Sequence, residues 1–381
     1  LFETGHWQGE LREIDKHGVP HYIAASVNRL YSEQGEAVGG VIINRDISAE
    51  KRSAVLQERI YQILEATAER QELLAILEKL VRAIEEFEPA VRASILLLDA
   101  EGNHLRHGAA PSLPGEYNAA IDGITIGSGV GSCGTAAFEK RLVVVEDIAA
   151  NHFWKDFKAL ALAHGLKACW SQPILRQGEQ VLGTFALYYG EIREPSDEEL
   201  KLIRVAARIA GLVIENAQAE AALRESEEKY RSLVESSDAV IATFDEAGDL
   251  QYANAIAATQ LGQGSDSIIG KNMRELYPPA TAEHQLNSIR QVIRTGRGVV
   301  QETAIPVADA IRWYRTSIQP IRGASGEINA ALIHASEITE EKLAEQKMLT
   351  QNEILYQSRD LIALADFEGK VTFINQSGAI M

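Results

Sequence analysis

GDLQYAN at residues 248–254 and GKVTFIN at residues 369–375 follow one pattern, 121 positions apart. Each stretch begins with a glycine, continues through a short, largely apolar run and ends in asparagine. A glycine before such a run favours a turn, and the run itself favours a strand. The sequence therefore predicts the same turn and strand twice.

A second repeat relates residues 22–51 to residues 313–342, with matching residues 291 positions apart and no gap. Within it, Asp46-Ile47-Ser48 matches Glu337-Ile338-Thr339. Because internal repeats mark repeated structural units, we predict one unit three times along the chain. Its end lies near residues 1–50, the complete unit near 225–340 and its beginning near 350–381.

The complete unit has the pattern of an α+β fold. Two short apolar runs, a helical middle and three strand-like runs follow one another between residues 239 and 335. In the helical middle, Leu286, Ile289 and Ile293 recur at spacings of three and four residues, which marks one face of a helix. The pattern predicts an antiparallel sheet with helices on one face.

These motifs resemble the PAS family of sensor domains. The resemblance rests on the turn and strand of residues 245–254 and on the final triplets, because PAS domains commonly end in Asp-Ile-Thr and pass into a helix. It implies that the triplets relay signals to the following helix, through Asp46, Ser48, Glu337 and Thr339. Ser48 and Thr339 are also expected to cap the helices that follow them.

Residues 71–218 have a different pattern and resemble the GAF family. An amphipathic helix opens the segment, and four motifs follow in order, at residues 129–136, 145–148, 165–174 and 181–186. The resemblance is closest to GAF domains that accompany PAS domains in bacterial sensor histidine kinases and diguanylate cyclases.

The patterns predict tandem PAS-like and GAF-like antiparallel sheets of five to six strands with flanking helices, joined by long connector helices. We expect a longer polypeptide, because the chain starts at Leu1 and ends after a strand-like run. The expected domains are the end of a PAS domain at 1–51, a connector helix at 52–70, a GAF domain at 71–218, a complete PAS domain with its leading helix at 219–343 and the beginning of another PAS domain at 344–381.

The connector helices carry apolar residues at coiled-coil spacing. Leu56, Ile60 and Ile63 fit a and d positions, as do Leu223 and Tyr230. A parallel homodimer through these helices is expected. The alternative is a helix that packs on its own domain, since a short run of heptads is weak support for a coiled coil.

Charge and composition argue against several classes of partner. The net charge is −17, from 54 acidic and 37 basic residues, whereas nucleic-acid binding requires a basic surface. No apolar run reaches the roughly 18 residues of a membrane span. Two cysteines in 381 residues indicate a reducing compartment, so we expect a cytoplasmic location.

The GAF-like segment contains candidate pocket residues, namely Cys133, His152, Trp154, Cys169, Trp170, Ser171 and Tyr188. Aromatic side chains with a few polar groups are typical of ligand pockets, but they also fill cores. The cysteines could be packed hydrophobes or redox groups, and no CxxC or HxxxH pattern accompanies them to indicate a metal site. Residues 131–136 also resemble a run in GAF-fold methionine sulfoxide reductases, which leaves that enzyme as a remote alternative.

The PAS-like unit contains its own candidate pocket residues, namely Leu286, Ile289, Ile293, Trp313, Ile318 and His334. The alternative is a filled core. Haem is not expected, because His284 lies at the beginning of the long helix rather than within it. A photoactive flavin is not expected either, because residues 225–340 contain no cysteine. The cofactor, and any small ligand, stays unidentified.

The chain contains no recognisable catalytic motif, neither a phospho-accepting histidine motif nor a GGDEF sequence. The resemblance implies a sensory input region in which a small molecule or a redox signal shifts the connector helices. The expected parent is a sensor histidine kinase of a two-component phosphorelay. The alternatives are a diguanylate cyclase or phosphodiesterase, and a dimerisation scaffold without a ligand.

Overall fold

The computed structural model describes residues 6–16, 20–33, 35–176, 180–261, 265–307, 310–323, 325–357 and 360–375. The chain forms two compact units, Leu1–Leu223 and Arg224–Met381. The fold is α+β, and every strand pair described is antiparallel. The predicted sheets of five and six strands are confirmed. Among the described residues, no helix combines the length and the apolarity needed to span a bilayer.

The first unit opens with a three-stranded sheet of β1 (His6–Ile14), β2 (Pro20–Tyr31) and β3 (Ala37–Asp46), in that order. Helix α1 (Ser48–Ala68) follows. Of its predicted coiled-coil residues, Ile63 is buried, and Leu56 and Ile60 pack against the core of the next sheet. These apolar side chains cover their own unit, in keeping with the alternative of a helix that packs on its own domain, and the coiled coil of α1 stays a prediction.

The rest of the first unit is a six-stranded sheet of order β6-β5-β4-β9-β8-β7. Helices cover both faces of this sheet, and a separate core lies on each face. One core includes Leu77, Trp170 and Ile203, and the other includes Tyr117 and Cys133. The elements in chain order are α2 (Leu73–Phe87), β4 (Val91–Leu98), β5 (His104–Ala109), α3 (Gly115–Ile121), β6 (Ile124–Thr125), α4 (Gly131–Glu139), β7 (Val143–Val145), α5 (Lys158–Ala163), β8 (Ala168–Leu175), β9 (Val181–Tyr189) and α6 (Asp197–Glu235).

The second unit holds a five-stranded sheet of order β11-β10-β14-β13-β12 and a strand pair, β15-β16. The boundary between the two units falls inside α6. The remaining elements are β10 (Val240–Asp245), β11 (Leu250–Ala253), α7 (Ala255–Gln260), α8 (Ser265–Ile268), α9 (Met273–Leu276), α10 (Pro279–Thr295), β12 (Val299–Val307), β13 (Ala310–Arg322), β14 (Ile328–Glu337), α11 (Thr339–Gln357), β15 (Ala363–Ala365) and β16 (Val371–Ile374).

Helix α10 begins and ends where its sequence directs. Pro279 occupies the first turn, where its missing N–H costs nothing. Leu286, Ile289 and Ile293 are buried as their spacing predicts. Gly296 ends the helix in the left-handed conformation, with φ of 66°, which a residue with a side chain rarely adopts. The buried side chains of α10 pack into the core beneath the sheet.

Both sequence repeats are also repeats of strand register. Strand β2 pairs with β3 as β13 pairs with β14, residue for residue 291 positions later and with the bulge at the same place. Strand β10 pairs with β11 as β15 pairs with β16, 121 positions later. The repeated residues therefore occupy equivalent structural positions.

Candidate functional sites

A cavity of about 280 Å³ lies between the five-stranded sheet and the helices α7, α9 and α10. Its size is close to the roughly 300 Å³ at which ligand pockets begin. The described wall contains no charged side chain. The polar lining residues are Gln260, Tyr277, Thr281, Gln285, Tyr314 and Thr316, and the others are Val240, Leu261, Met273, Leu276, Pro278, Ile305, Ile333 and Ala335.

Strand β13 has one face towards this cavity and one face away from it. Tyr314 and Thr316 are buried and line the cavity, whereas Trp313 and Arg315 are exposed. This alternation follows from the two-residue period of a strand. A movement of this backbone therefore affects both faces at once.

Two buried polar side chains of the cavity wall have hydrogen-bonding capacity left over. Gln285 is 6% exposed and Thr316 is 3% exposed. Gln301 Nε2 donates to Gln285 Oε1 over 3.3 Å. Within the described residues, the Gln285 Nε2 group and the Thr316 hydroxyl have no partner. Burial also raises the pKa of Tyr277 and Tyr314, so both phenols are neutral at pH 7.

The pocket residues that the sequence indicated in this unit lie elsewhere. Trp313 and His334 are on the outward face of the sheet. The other four are buried in the core beneath the sheet, namely Leu286, Ile289, Ile293 and Ile318. None of the six belongs to the described cavity wall. The prediction that Trp313 lines the pocket is wrong, because the strand register places its side chain outside.

The first turn of helix α11 is bonded to strand β13. We call the residues that make these bonds the downstream junction; they are Arg312, Trp313, Glu337, Ile338 and Thr339. Thr339 Oγ1 accepts a hydrogen bond from Trp313 N at 3.0 Å and donates one to Glu337 Oε1 at 2.8 Å. Ile338 N donates to Trp313 O at 2.7 Å. Arg312 pairs with Glu337 at 3.0 Å. The start of the helix is thus held to the strand by several bonds.

The first repeat has the same arrangement at α1. Ser48 Oγ accepts from Tyr22 N at 2.8 Å, and Ser48 N donates to Asp46 Oδ1 at 2.8 Å. These bonds from Ser48 lower the pKa of Asp46. The predicted cap is wrong for α1, which has no side-chain cap because the neighbouring strand uses the Ser48 hydroxyl. The relay role of Asp46, Ser48, Glu337 and Thr339 stays a prediction.

Charged side chains extend the downstream junction across the outer face of the sheet. Glu302 on β12 contacts Arg315 at 3.1 Å and Lys342 at 2.9 Å. Arg315 also reaches Glu341 on α11 at 3.3 Å. Sequence analysis missed this network, because its members come from three separate elements and no spacing relates them.

Asn254, the last residue of the GDLQYAN stretch, bonds the end of α6 to the five-stranded sheet. Its Nδ2 group donates to Val234 O at 3.2 Å and to Ala239 O at 2.9 Å. Its Oδ1 atom accepts from Ile241 N at 3.1 Å and from Ala257 N at 3.0 Å. The side chain is fully buried. We call this the upstream junction.

Asn375 repeats the arrangement at the end of α11. Its Nδ2 group donates to Leu355 O at 3.3 Å and to Asp360 O at 2.8 Å, and its Oδ1 atom accepts from Ile362 N at 3.0 Å. The repeated asparagine was the sequence signal for both junctions, although its partners could not be read from the pattern.

Under the six-stranded sheet, four of the predicted residues form a polar cluster, and Trp154 lies beside it. Cys133 Sγ lies 3.3 Å from Ser171 Oγ and 3.9 Å from Tyr188 Oη. Cys169 Sγ lies 3.7 Å from Ser171 Oγ. The cavity that Cys133, Trp154 and Tyr188 line measures only about 20 Å³, which is enough for one water molecule.

The other two predicted residues lie apart from this cluster. His152 is exposed and its ring lies 4.2 Å from that of Phe153. Trp170 belongs to the core on the opposite face of the sheet, where its ring lies 4.3 Å from that of Tyr189. Strand alternation separates Trp170 from Cys169 and Ser171 on β8.

Burial controls the chemistry of the polar cluster. It raises the pKa of the Cys133 and Cys169 thiols and of the Tyr188 phenol. A thiol with a raised pKa stays protonated at neutral pH and is a poor nucleophile. In the part of the chain that the structure describes, no group of three or more potential ligand residues could hold a metal ion.

Three segments of the chain match known protein families. Residues 71–215 match the GAF domain, residues 234–343 match the PAS fold, and residues 1–49 match a PAS domain.

The chain is also similar to one curated protein and to solved structures. The methyl sulfide methyltransferase-associated sensor of Methanosarcina acetivorans is 33% identical over 270 residues, which cover 71% of this chain and 27% of that protein. A domain assigned to a two-component sensor histidine kinase from Sinorhizobium meliloti 1021 is 27% identical, with 40% of this chain and 98% of that one covered and a TM-score of 0.35. The E. coli DhaR(N)–DhaL complex is 18% identical, with 75% and 89% covered and a TM-score of 0.39.

Proposed function

The chain belongs to the GAF and PAS sensor-domain families, and we propose that it is the sensory input region of a signal-transduction protein. Its similarity to a named sensor supports this role. The finer proposal is a sensor histidine kinase of a cytoplasmic two-component phosphorelay, with a diguanylate cyclase or phosphodiesterase as the alternative. The proposed layout is a PAS end at 1–51, a connector at 52–70, GAF at 71–218, PAS at 219–343 and a PAS beginning at 344–381.

The proposal rests on the position of β13. One face of this strand lines the cavity, and its backbone is bonded to α11. Tyr314 and Thr316 line the cavity, and the Trp313 backbone is bonded to Thr339. Because these residues share one backbone, a displacement of the inward side chains also displaces the bonds to α11. A molecule that enters the cavity would bias the helix between two arrangements.

Filling the cavity with a side chain tests this relay. Ala335 on β14 lines the cavity, so Ala335→Leu places an isobutyl group where a ligand would lie. We expect the hydrogen exchange of backbone amides at residues 339–343 to change by about threefold or more. His334→Leu is the control. It changes the preceding residue, which is exposed on the outward face, and should leave that exchange unaltered. The same exchange rates in both variants would contradict the relay.

We also propose a homodimer through α6. Five apolar side chains of this helix occupy a and d positions of one heptad register, and all are 48–67% exposed. They are Val205, Leu212, Leu223, Tyr230 and Leu233. Leu212→Glu combined with Leu223→Glu should yield a monomer in sedimentation velocity experiments. Glu225→Lys, on the same helix but outside these positions, should remain a dimer.

The methionine sulfoxide reductase alternative is weaker, because it needs a reactive thiol. Cys133 and Cys169 are both buried, and burial raises the pKa of each. An assay of methionine sulfoxide reduction with the chain and its Cys133→Ser variant tests this alternative. Activity that the substitution abolishes would favour the reductase over a purely sensory chain.

A further inference from the structure

We propose that the PAS cavity takes a neutral small molecule that carries a hydrogen-bond acceptor, held by the carboxamide of Gln285 and the hydroxyl of Thr316. This inference rests on the proposed function, because it assumes that the cavity is the ligand site of the sensor. It goes further by stating the charge, the size and the polar contacts of the ligand.

The charge follows from the composition of the wall. None of the 14 described lining residues is Asp, Glu, Lys, Arg or His. An ionised ligand would lose its hydration on entering such a cavity without gaining an opposite charge, which is strongly unfavourable. Carboxylates, phosphates and ammonium compounds therefore fit the described part of the wall poorly, whereas amides, alcohols, phenols and ketones are compatible with it.

The polar contacts follow from groups that the protein leaves unpaired. Gln301 Nε2 donates to Gln285 Oε1 at 3.3 Å, and Gln301 itself is contacted by Ser288 Oγ at 3.5 Å. With the Gln285 oxygen thus engaged, its NH₂ group remains available to a ligand. Thr316 on β13 adds a hydroxyl that can donate or accept. Buried polar groups are rarely left without a partner, so an acceptor on the ligand completes this site.

The size follows from the volume. A cavity of about 280 Å³ corresponds to roughly nine water molecules at about 30 Å³ each. The ligand is therefore a compact molecule of roughly ten non-hydrogen atoms. Met273, Leu276 and Ile333 supply apolar surface on which a ring can pack.

Three probes of similar shape and different charge test the proposal, namely benzamide, benzoate and benzylammonium. Met273 lies in the cavity wall and is one of three methionines in the chain, so its ¹³C-labelled methyl group reports binding to the full chain. We expect benzamide to shift this signal at millimolar concentration, and to bind about tenfold more tightly than either charged probe. A charged probe that binds as well as benzamide, or no response to any of the three, would overturn the proposal.

Variants of the two polar residues test the contacts. Gln285→Leu and the isosteric Thr316→Val should each weaken benzamide binding about fivefold, the effect of losing one hydrogen bond. Gln291→Leu, on the exposed side of α10, is the matched control and should bind as the parent does. Unchanged binding in both cavity variants would refute the assigned contacts.

The same titration separates this inference from the proposed relay. A shift of the Met273 methyl signal without any change in the hydrogen exchange of residues 339–343 would leave the binding site intact and count against the relay. The opposite result is also informative. If Ala335→Leu changes the hydrogen exchange of residues 339–343 but benzamide does not shift the Met273 methyl signal, the relay is supported and the proposed ligand class is overturned.

Discussion

The GAF and PAS sheets of this chain enclose very different amounts of space. The cavity beside Cys133 in the GAF domain measures about 20 Å³, whereas the PAS cavity measures about 280 Å³. In the GAF domain the polar groups of Cys133, Ser171 and Tyr188 lie against one another. In the PAS domain, the Gln285 Nε2 group and the Thr316 hydroxyl have no partner among the described residues, although both side chains line the cavity.

This difference teaches that buried polar side chains indicate a ligand site only where the core leaves them unpaired. Thiols and hydroxyls that pair with each other complete a core and fix its packing. Unpaired groups beside open space leave hydrogen bonds for a ligand to make. The PAS cavity is therefore a better candidate for a ligand site than the small space beside Cys133.

The largest expected effect tests whether the GAF core is closed. Leu96 is fully buried and lines the small cavity. Leu96→Ala should lower the free energy of unfolding by about 3 kcal/mol, because it removes buried surface and enlarges a void. Leu276→Ala, at the half-buried edge of the PAS cavity, should cost only about 1 kcal/mol. Urea unfolding followed by tryptophan fluorescence measures both, and equal losses would contradict the comparison.

The next effect concerns the hydrogen bonds that hold the PAS sheet to α6. Asn254→Ala removes a buried hydrogen-bond partner from two carbonyl and two amide groups, and should cost about 2–3 kcal/mol. Hydrogen exchange at the Ile241 and Ala257 amides should become faster. Asn375→Ala removes the equivalent bonds at the end of α11 and should leave those two amides protected. An Asn254 variant as stable as the parent would show that the upstream junction contributes no stability.

Alkaline pH gives a third effect, which between pH 8 and pH 9.5 comes chiefly from two thiols of the GAF domain. Burial raises the pKa of Cys133 and Cys169, so the folded chain keeps these protons at a pH where the unfolded chain loses them. The stability they contribute is complete below the ordinary thiol pKa of about 8.5 and is lost as the pH rises towards the folded value. Urea unfolding at several pH values should show this slope.

The control for this effect is the double variant Cys133→Ala and Cys169→Ala. It should be less stable than the parent at pH 7 because it loses buried atoms, but its stability should vary less between pH 8 and pH 9.5. An equal slope in the parent and the variant would mean that the two thiols are not the groups that titrate.

Much of the fold could be predicted from the sequence, because it follows from local periodicity. The spacing of Leu286, Ile289 and Ile293 predicted α10, and the repeated positions fixed equivalent strand registers. The cavity could not be predicted, because a void depends on which side chains fail to meet across different elements. Gln285 and Thr316 were the available signal, as polar residues at positions where the helix and strand patterns place apolar ones.

The GAF candidates show the opposite limit. The sequence identified Cys133, Cys169, Ser171 and Tyr188, and the structure brings them together from α4, β8 and β9. Whether such a group forms a pocket or a closed core depends on distances of a few tenths of an ångström, which residue types do not determine. Trp313 failed for a simpler reason, because a shift of one residue in a strand reverses the face.

The smallest expected effect concerns the ion pairs outside the PAS sheet. Glu302→Gln removes the charge that Arg315 and Lys342 share, but exposed pairs contribute little to stability, so urea unfolding should not change measurably. We expect instead faster hydrogen exchange at residues 339–343, since fewer contacts hold the first turn of α11. The hydrogen bond from Lys342 lowers the pKa of Glu302, so in the parent chain this protection should persist at neutral pH and fall as the pH drops through that pKa. The Glu302→Gln variant should lack this pH dependence. If the variant instead loses as much stability as Asn254→Ala, the ion pairs of Glu302 stabilise the fold and have no part in the relay.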